Sequence, residues 1–242
     1  MKSPAVISVL DRLAAAPISW GVCEVPGWGV ELPSERVLAE MRALGLRATE
    51  LGPLGYLGND AAAVTALLER HGLTLVGGFL PVVLHEDGAL DARARAAVEL
   101  YAACGGSVVV SAPVLDLAWS PPRPLSDAEW RRLLEGLARL DELAAAHGLT
   151  NVLHPHVGTL VETGDQVARV LGESDVRLCL DTGHLAIGGV DPAALDAAAY
   201  EGWLVLEQDV ALPAEPEPGT GPLEDVRRSI EFVTSRKEVR HG

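Results

Sequence analysis

The sequence predicts an α/β fold, a parallel (β/α) barrel formed by one domain over residues 1–242, and three observations carry that expectation. A helix–glycine–strand phrase recurs at residues 41–53 (MRALGLRATELGP), 68–81 (LERHGLTLVGGFLP) and 144–156 (AAAHGLTNVLHPH), with a looser copy at 101–113. Short apolar strands alternating with helices make a parallel sheet with helices packed on it. The chain has 242 residues and no glycine-rich phosphate loop after its first strand, which favours a barrel over a doubly wound nucleotide-binding sheet.

The elements can be placed in order. Residues 17–20 (PISW) give the first strand. Ser34 can cap a helix ending at Leu44, and the second strand follows at 47–51. Asn59 or Asp60 can cap the next helix, ending at His71 before a third strand at 74–80. Gly45, Gly72 and Gly148 stand where a helix ends in a left-handed residue, which glycine adopts without a Cβ clash. The fourth strand is 107–111. Ser126 and Glu129 form a capping box ahead of Trp130, Leu133, Leu134, Leu137 and Leu140. Strands five to seven are 151–154, 176–180 and 203–206. The stretch 213–221, rich in proline, glycine and glutamate, is a loop. Pro222 opens a last helix with Leu223, Val226, Ile230 and Val233 on its apolar face, and a polar tail from about Ser235 is expected to fray.

Composition narrows the function classes. Hydrophobic residues make up 48% of the chain, enough for a sizeable core. No apolar run reaches the roughly 18 residues of a membrane span. The stretch 6–16 is interrupted by Asp11 and Arg12, unlike a secretory leader, so a cytoplasmic protein without a membrane partner is expected. A formal charge of −15 argues against a nucleic-acid partner, which needs a basic face. Cys23, Cys104 and Cys179 are far apart and form no CxxC pair; the last two read as packed thiols, and nothing marks Cys23 as a nucleophile.

In a parallel barrel the chemistry sits at the C-terminal ends of the strands. Four ends carry suitable groups: Glu50; His154 and His156; Asp181 with His184; and Glu207, with Asp209 behind it. Asp181 and Glu207 each follow a strongly apolar strand, where an unpaired carboxylate pays heavily for desolvation unless a cation offsets it. Histidine nitrogen with carboxylate oxygen suits Mn²⁺, Zn²⁺, Co²⁺ or Fe²⁺, whereas Mg²⁺ prefers oxygen alone. Each group also has a plainer reading: Asp181 as a helix cap, Glu50 or Glu207 in a structural ion pair. His154 and His156 alternate along a strand, so one is the better ligand candidate than both. Trp20 and Trp28 could stack on a sugar or cyclitol ring, or simply pack.

These residues together resemble the xylose-isomerase-like superfamily of TIM-type barrels, which holds sugar isomerases and epimerases, and within it the inosose dehydratases. The resemblance rests on APISWGVCEVPGWG, ATELGPLGYLG, NVLHPHVGTLVET, LCLDTGHLAIGGVDP and YEGWLVLEQD, spread over most of the chain up to Val210. It implies a divalent metal, Mn²⁺ or Co²⁺ first and Zn²⁺ or Mg²⁺ after them, held by His154, Asp181 and Glu207. It places Glu50, His156 and His184 where side chains face the substrate, a small polyhydroxylated carbonyl compound, or support the ligands, with His184 a further candidate around the cation. The implied reaction is dehydration of a keto-cyclitol such as 2-keto-myo-inositol through an enediolate. Glu50 or a histidine would take the proton, and His184 or His156 would protonate the departing hydroxyl. Ketose isomerisation or epimerisation, and a non-catalytic barrel that only binds a ligand or partner, are the alternatives. The sequence departs from the pattern in one respect: residues 191–199 (DPAALDAAA) run directly into the final strand, where relatives have a seventh strand ending in histidine. The barrel is therefore expected to be incomplete or seven-stranded, and an open edge would invite a homo-oligomer.

Overall fold

A computed structural model describes residues 9–88, 90–191, 200 and 202–235. Among them are seven strands: β1 (Leu13–Ala15), β2 (Ala48–Glu50), β3 (Thr74–Val82), β4 (Val108–Pro113), β5 (Thr150–Leu153), β6 (Arg177–Leu178) and β7 (Leu204–Leu206). The helices are α1 (Ser34–Ala43), α2 (Ala61–Arg70), α3 (Ala92–Ala103), α4 (Asp127–Ala146), α5 (Gly164–Glu173), α6 (Thr182–Ile187) and α7 (Pro222–Ser235). The strand pairings are parallel. The expected fold class, a seven-stranded (β/α) arrangement, is therefore what the chain forms. The residues form two compact units, the first up to Val76 and from Gly202 on, the second from Gly77 to Tyr200.

In the first unit β1 lies between β2 and β7, with Ala14 opposite both Ala48 and Val205. Ala14, Ala48 and Val76 form a buried cluster on which Trp203 and Val205 pack. Helix α1 buries Val37, Leu38 and Met41, and α2 buries Val64, Leu67 and Leu68. Gly45 and Gly72 end these helices at φ 83° and 63°, where a Cβ would be strained. Asp60, not Asn59, caps α2, accepting from the Ala63 N–H. Ser34 is already the first residue of α1, with Pro33 before it and no side-chain cap, so the capping role expected of Ser34 is corrected.

The first strand is also corrected. Residues Pro17–Trp20 form a 3₁₀ turn closed by Gly21 at φ 81°, and the strand lies earlier, at Leu13–Ala15. Proline has no N–H to give to a ladder, but its fixed φ suits the first position of a helical turn.

In the second unit β4 pairs with β3 and β5, and β5 with β6. Gly77 is required where β3 meets β4, because a Cβ there would stand 1.8 Å from the Val108 carbonyl oxygen. The Ser126–Glu129 capping box forms at the start of α4, which buries Trp130, Leu133, Leu137 and Leu140. Strand β6 is two residues long where five were expected. Its neighbour α5 carries a second capping box, Thr163 with Gln166. No described helix is long and apolar enough to cross a membrane. The segment 192–199 and the tail from 236 lie outside the described residues.

Candidate metal centre

Strand β5 ends at the buried Leu153, and the chain continues as His154-Pro155-His156. The His154 N–H donates to the Ser111 carbonyl at 2.8 Å, which extends the ladder to β4 by one step and turns the ring inward. Its side chain is 1% exposed, and neither ring nitrogen has a hydrogen-bond partner among the described residues. Burial, helped by the neighbouring His156, pushes the imidazole down to about 3, against the opposing pull of Asp181. The ring is therefore neutral at physiological pH, with a lone pair held in a dry environment.

Asp181 precedes α6 and caps it, its Oδ1 accepting from the His184 N–H at 2.7 Å. Oδ2 stands 3.6 Å from His154 Nε2, too far for a hydrogen bond. The helix-cap reading and the ligand reading of Asp181 are thus compatible, since each uses a different oxygen. His184 sits one turn into α6, 7% exposed, and its Nδ1 accepts from the Val157 N–H at 3.4 Å. Close packing fixes α6: the Gly164 N–H donates to the Gly188 carbonyl at 2.8 Å, and a Cβ on Gly188 would lie 2.1 Å from the Glu162 carbonyl oxygen.

The potential ligand atoms of His154, Asp181 and His184 all lie within 4.8 Å of one another. Two ligands each about 2.1 Å from an ion can be at most about 4.2 Å apart, so small side-chain rotations bring the set onto one cation. Two imidazole nitrogens and one carboxylate oxygen suit a first-row transition ion better than Mg²⁺ or Ca²⁺. A cation would give a partner to one of the two unpartnered nitrogens of His154, Nε2, which is the one that faces Asp181.

His156 closes the cluster, its ring centroid 3.9 Å from that of His184 and 5.3 Å from that of His154. It is half-buried, and its Nδ1 is 2.7 Å from the Val157 carbonyl oxygen. A carbonyl only accepts, so Nδ1 carries the hydrogen and Nε2 is the atom that gains or loses a proton. Thr159 shapes this loop by donating to the carbonyls of His156 and Val161.

The remaining sequence candidates lie in the first unit. Glu50 closes β2 at 6% exposure, and burial lifts its carboxyl to about 7. Glu207 follows β7 and is half-buried. Trp20 is 0% exposed and donates to Glu40 Oε2 at 2.8 Å, so its ring is packed and offers no face to a substrate. Trp28 is half-buried and donates to the Val210 carbonyl at 2.8 Å. The Cys23 thiol is pushed up to about 11 by burial, consistent with an inert side chain. Sequence reasoning missed two rings beside the histidines, Phe79 on β3 and Trp119 in the loop after β4. The strand-end rule does not reach them, because Phe79 lies within β3 and Trp119 in the loop well past the end of β4.

The xylose isomerase-like TIM barrel family matches residues 38–199. The inosose dehydratase of Geobacillus kaustophilus (strain HTA426) is 32% identical over 199 residues, which are 76% of this chain and 64% of that protein. The chain thus spans less than two thirds of that relative's length. A D-allulose 3-epimerase from Methylomonas sp. superposes with a TM-score of 0.63 at 16% identity, over 93% of this chain and 97% of the epimerase. The IolI protein with a bound zinc atom superposes with a TM-score of 0.55 at 15% identity, over 74% of this chain and 66% of that one. At such identities the likeness to solved structures concerns the fold.

Proposed function

From a chain that belongs to the xylose isomerase-like TIM barrel family, we propose a divalent-metal-dependent hydro-lyase that removes water from a keto-cyclitol of the 2-keto-myo-inositol kind. The observation that carries this reading is the buried, unpartnered imidazole of His154 facing Asp181 and His184. The similarity to inosose dehydratase supports the substrate class.

In this reading His154, Asp181 and His184 hold the cation. His184 is thereby a ligand rather than a proton donor. A bound Mn²⁺, Co²⁺ or Zn²⁺ supplies Lewis acidity, drawing charge from the substrate carbonyl and making its α-hydrogen acidic. Glu50 is the proposed base for that hydrogen, because a carboxyl ionising near 7 is matched to proton transfer at neutral pH. His156, protonated at Nε2, donates to the departing hydroxyl so that it leaves as water. One C–H and one C–O bond break, one C=C bond forms, and the proton lost by the acid is matched by the one taken by the base.

The test uses purified protein stripped with a chelator and reloaded with Mn²⁺, Co²⁺ or Zn²⁺, incubated with 2-keto-myo-inositol and followed by NMR. The hydroxy-enone formed by loss of one water, or the 1,2-diketone to which it tautomerises, is the expected product. An epimerised or isomerised ketone would move the reading to the isomerase alternative. Absence of turnover together with absence of bound metal by elemental analysis would sink the enzymatic reading.

A further inference from the structure

Trp119 is the only described non-glycine residue with a positive φ, 59°. For a bulky side chain this left-handed backbone is strained and persists only where the surroundings enforce it. Asp116 does the enforcing. Its Oδ1 accepts from the N–H groups of Ala118 at 2.9 Å and Ser120 at 3.1 Å, while its carbonyl accepts from the Trp119 N–H at 3.2 Å. The strained turn lays the indole nearly parallel to Phe79, with centroids 6.3 Å apart and planes at 18°, and 5.8 Å from the His156 ring. Phe79 in turn stands 5.8 Å from His154 and 5.5 Å from His156. Both aromatic residues are half-buried, so part of each faces away from the packed interior.

We propose that Asp116 is a positioning residue that clamps Trp119 beside the histidine cluster as the wall for the C–H face of a cyclic polyol ketone. The proposal rests on the keto-cyclitol reading and deepens it. A six-membered ring whose hydroxyls are equatorial presents only C–H groups above and below its plane, and such a face packs on flat aromatic rings. An open-chain ketose presents no such face, so the clamp selects for a ring.

The test compares full-length Asp116→Ala, Asp116→Asn, Trp119→Phe and Trp119→Gly with wild type, all loaded with Mn²⁺. The chain has five tryptophans, so Trp119 emission is taken as the difference between each protein and its Trp119→Phe counterpart. Asp116→Ala is expected to shift that emission to the red, expose it to acrylamide quenching, and raise KM for 2-keto-myo-inositol about tenfold with kcat within about twofold. Bound Mn²⁺ should not change. Asp116→Asn keeps an oxygen where the two N–H groups need it and should restore quenching and KM. Trp119→Gly, which removes the ring and the strained φ together, should show the same KM rise even if Asp116→Ala fails to fold. Unaltered quenching in Asp116→Ala, or unaltered KM in Trp119→Gly, overturns the proposal. If wild type itself does not turn over this ketone, the dehydratase reading fails separately, and the quenching comparison alone then upholds or overturns the clamp.

Discussion

Replacing His154 with leucine tests the metal reading through stability, without any substrate. Wild type buries an imidazole at 1% exposure with both nitrogens unpartnered. A buried polar group left unsatisfied costs about 1–3 kcal/mol. Leucine fills nearly the same volume and removes that cost, while losing the edge-on contact with Phe79, worth about 0.5–1.5 kcal/mol. The metal-free variant should therefore be more stable by about 1 kcal/mol, which for a chain of this size raises the melting temperature by about 2–4 °C. Saturating metal reverses the comparison. At a free concentration of 100 times Kd it adds about 2.7 kcal/mol to wild type and little to the variant, a shift of about 5–11 °C. The acid limb should change too. His154 ionises near 3 in the folded protein and near 6.5 when unfolded, so the unfolded chain takes up its proton first. Wild-type stability then falls as pH drops from about 6.5 toward 3, and the leucine variant lacks that part of the slope. Calorimetric melts with chelator and with Co²⁺, at pH 5 and 7.5, measure all three effects. A metal-free variant melting below wild type would refute the reasoning, because it would mean that the ring nitrogens have partners.

Asp181→Asn retains the helix cap, since asparagine caps as well as aspartate, but removes the charge; metal affinity measured by titration calorimetry should fall at least tenfold, with the metal-free melting temperature nearly unchanged. Gly188→Ala puts a Cβ 2.1 Å from the Glu162 carbonyl oxygen, so α6 must shift; a loss of about 1–3 kcal/mol in urea unfolding is expected, together with weaker metal binding. Glu50→Gln should lower kcat by about 10²–10⁴ if the carboxylate is the base. It should also alter the pH profile of stability: the folded carboxyl keeps its proton up to about 7 while the unfolded one loses it near 4.5, so wild type weakens as pH rises through that window and the amide does not. A denaturation series from pH 4 to 8 in which both proteins keep the same slope would contradict this.

Much of the frame could be read without coordinates. The glycines that end α1, α2 and α4 take the left-handed conformation, at φ 83°, 63° and 76°, because only a residue without Cβ does so freely. Asp60 and the Ser126–Glu129 pair cap their helices because a short polar side chain reaches the N–H groups three residues on. Such features depend on a few consecutive residues, and the HPH and DTGH segments could be picked out for the same reason.

What depends on distant residues could not. The 3₁₀ turn at Pro17–Trp20 replaced an expected strand because the ladder partners of β1 are β2 and β7, whose register selects Leu13–Ala15. Trp20 left the candidate list because Glu40, in a helix twenty residues on, accepts its N–H inside the core. His184 could be named beside His154 and Asp181, but the approach of their ligand atoms to within 4.8 Å depends on packing, in which Gly188 lets α6 settle against the Glu162 backbone. The sequence by itself determined the alternation of elements, their caps and the set of chemically able side chains, since each follows from local backbone preference and hydrogen-bond reach. Tertiary structure alone decided which of those side chains converge, how dry their surroundings are and therefore which protonation state they hold, because burial and proximity are properties of the packed chain.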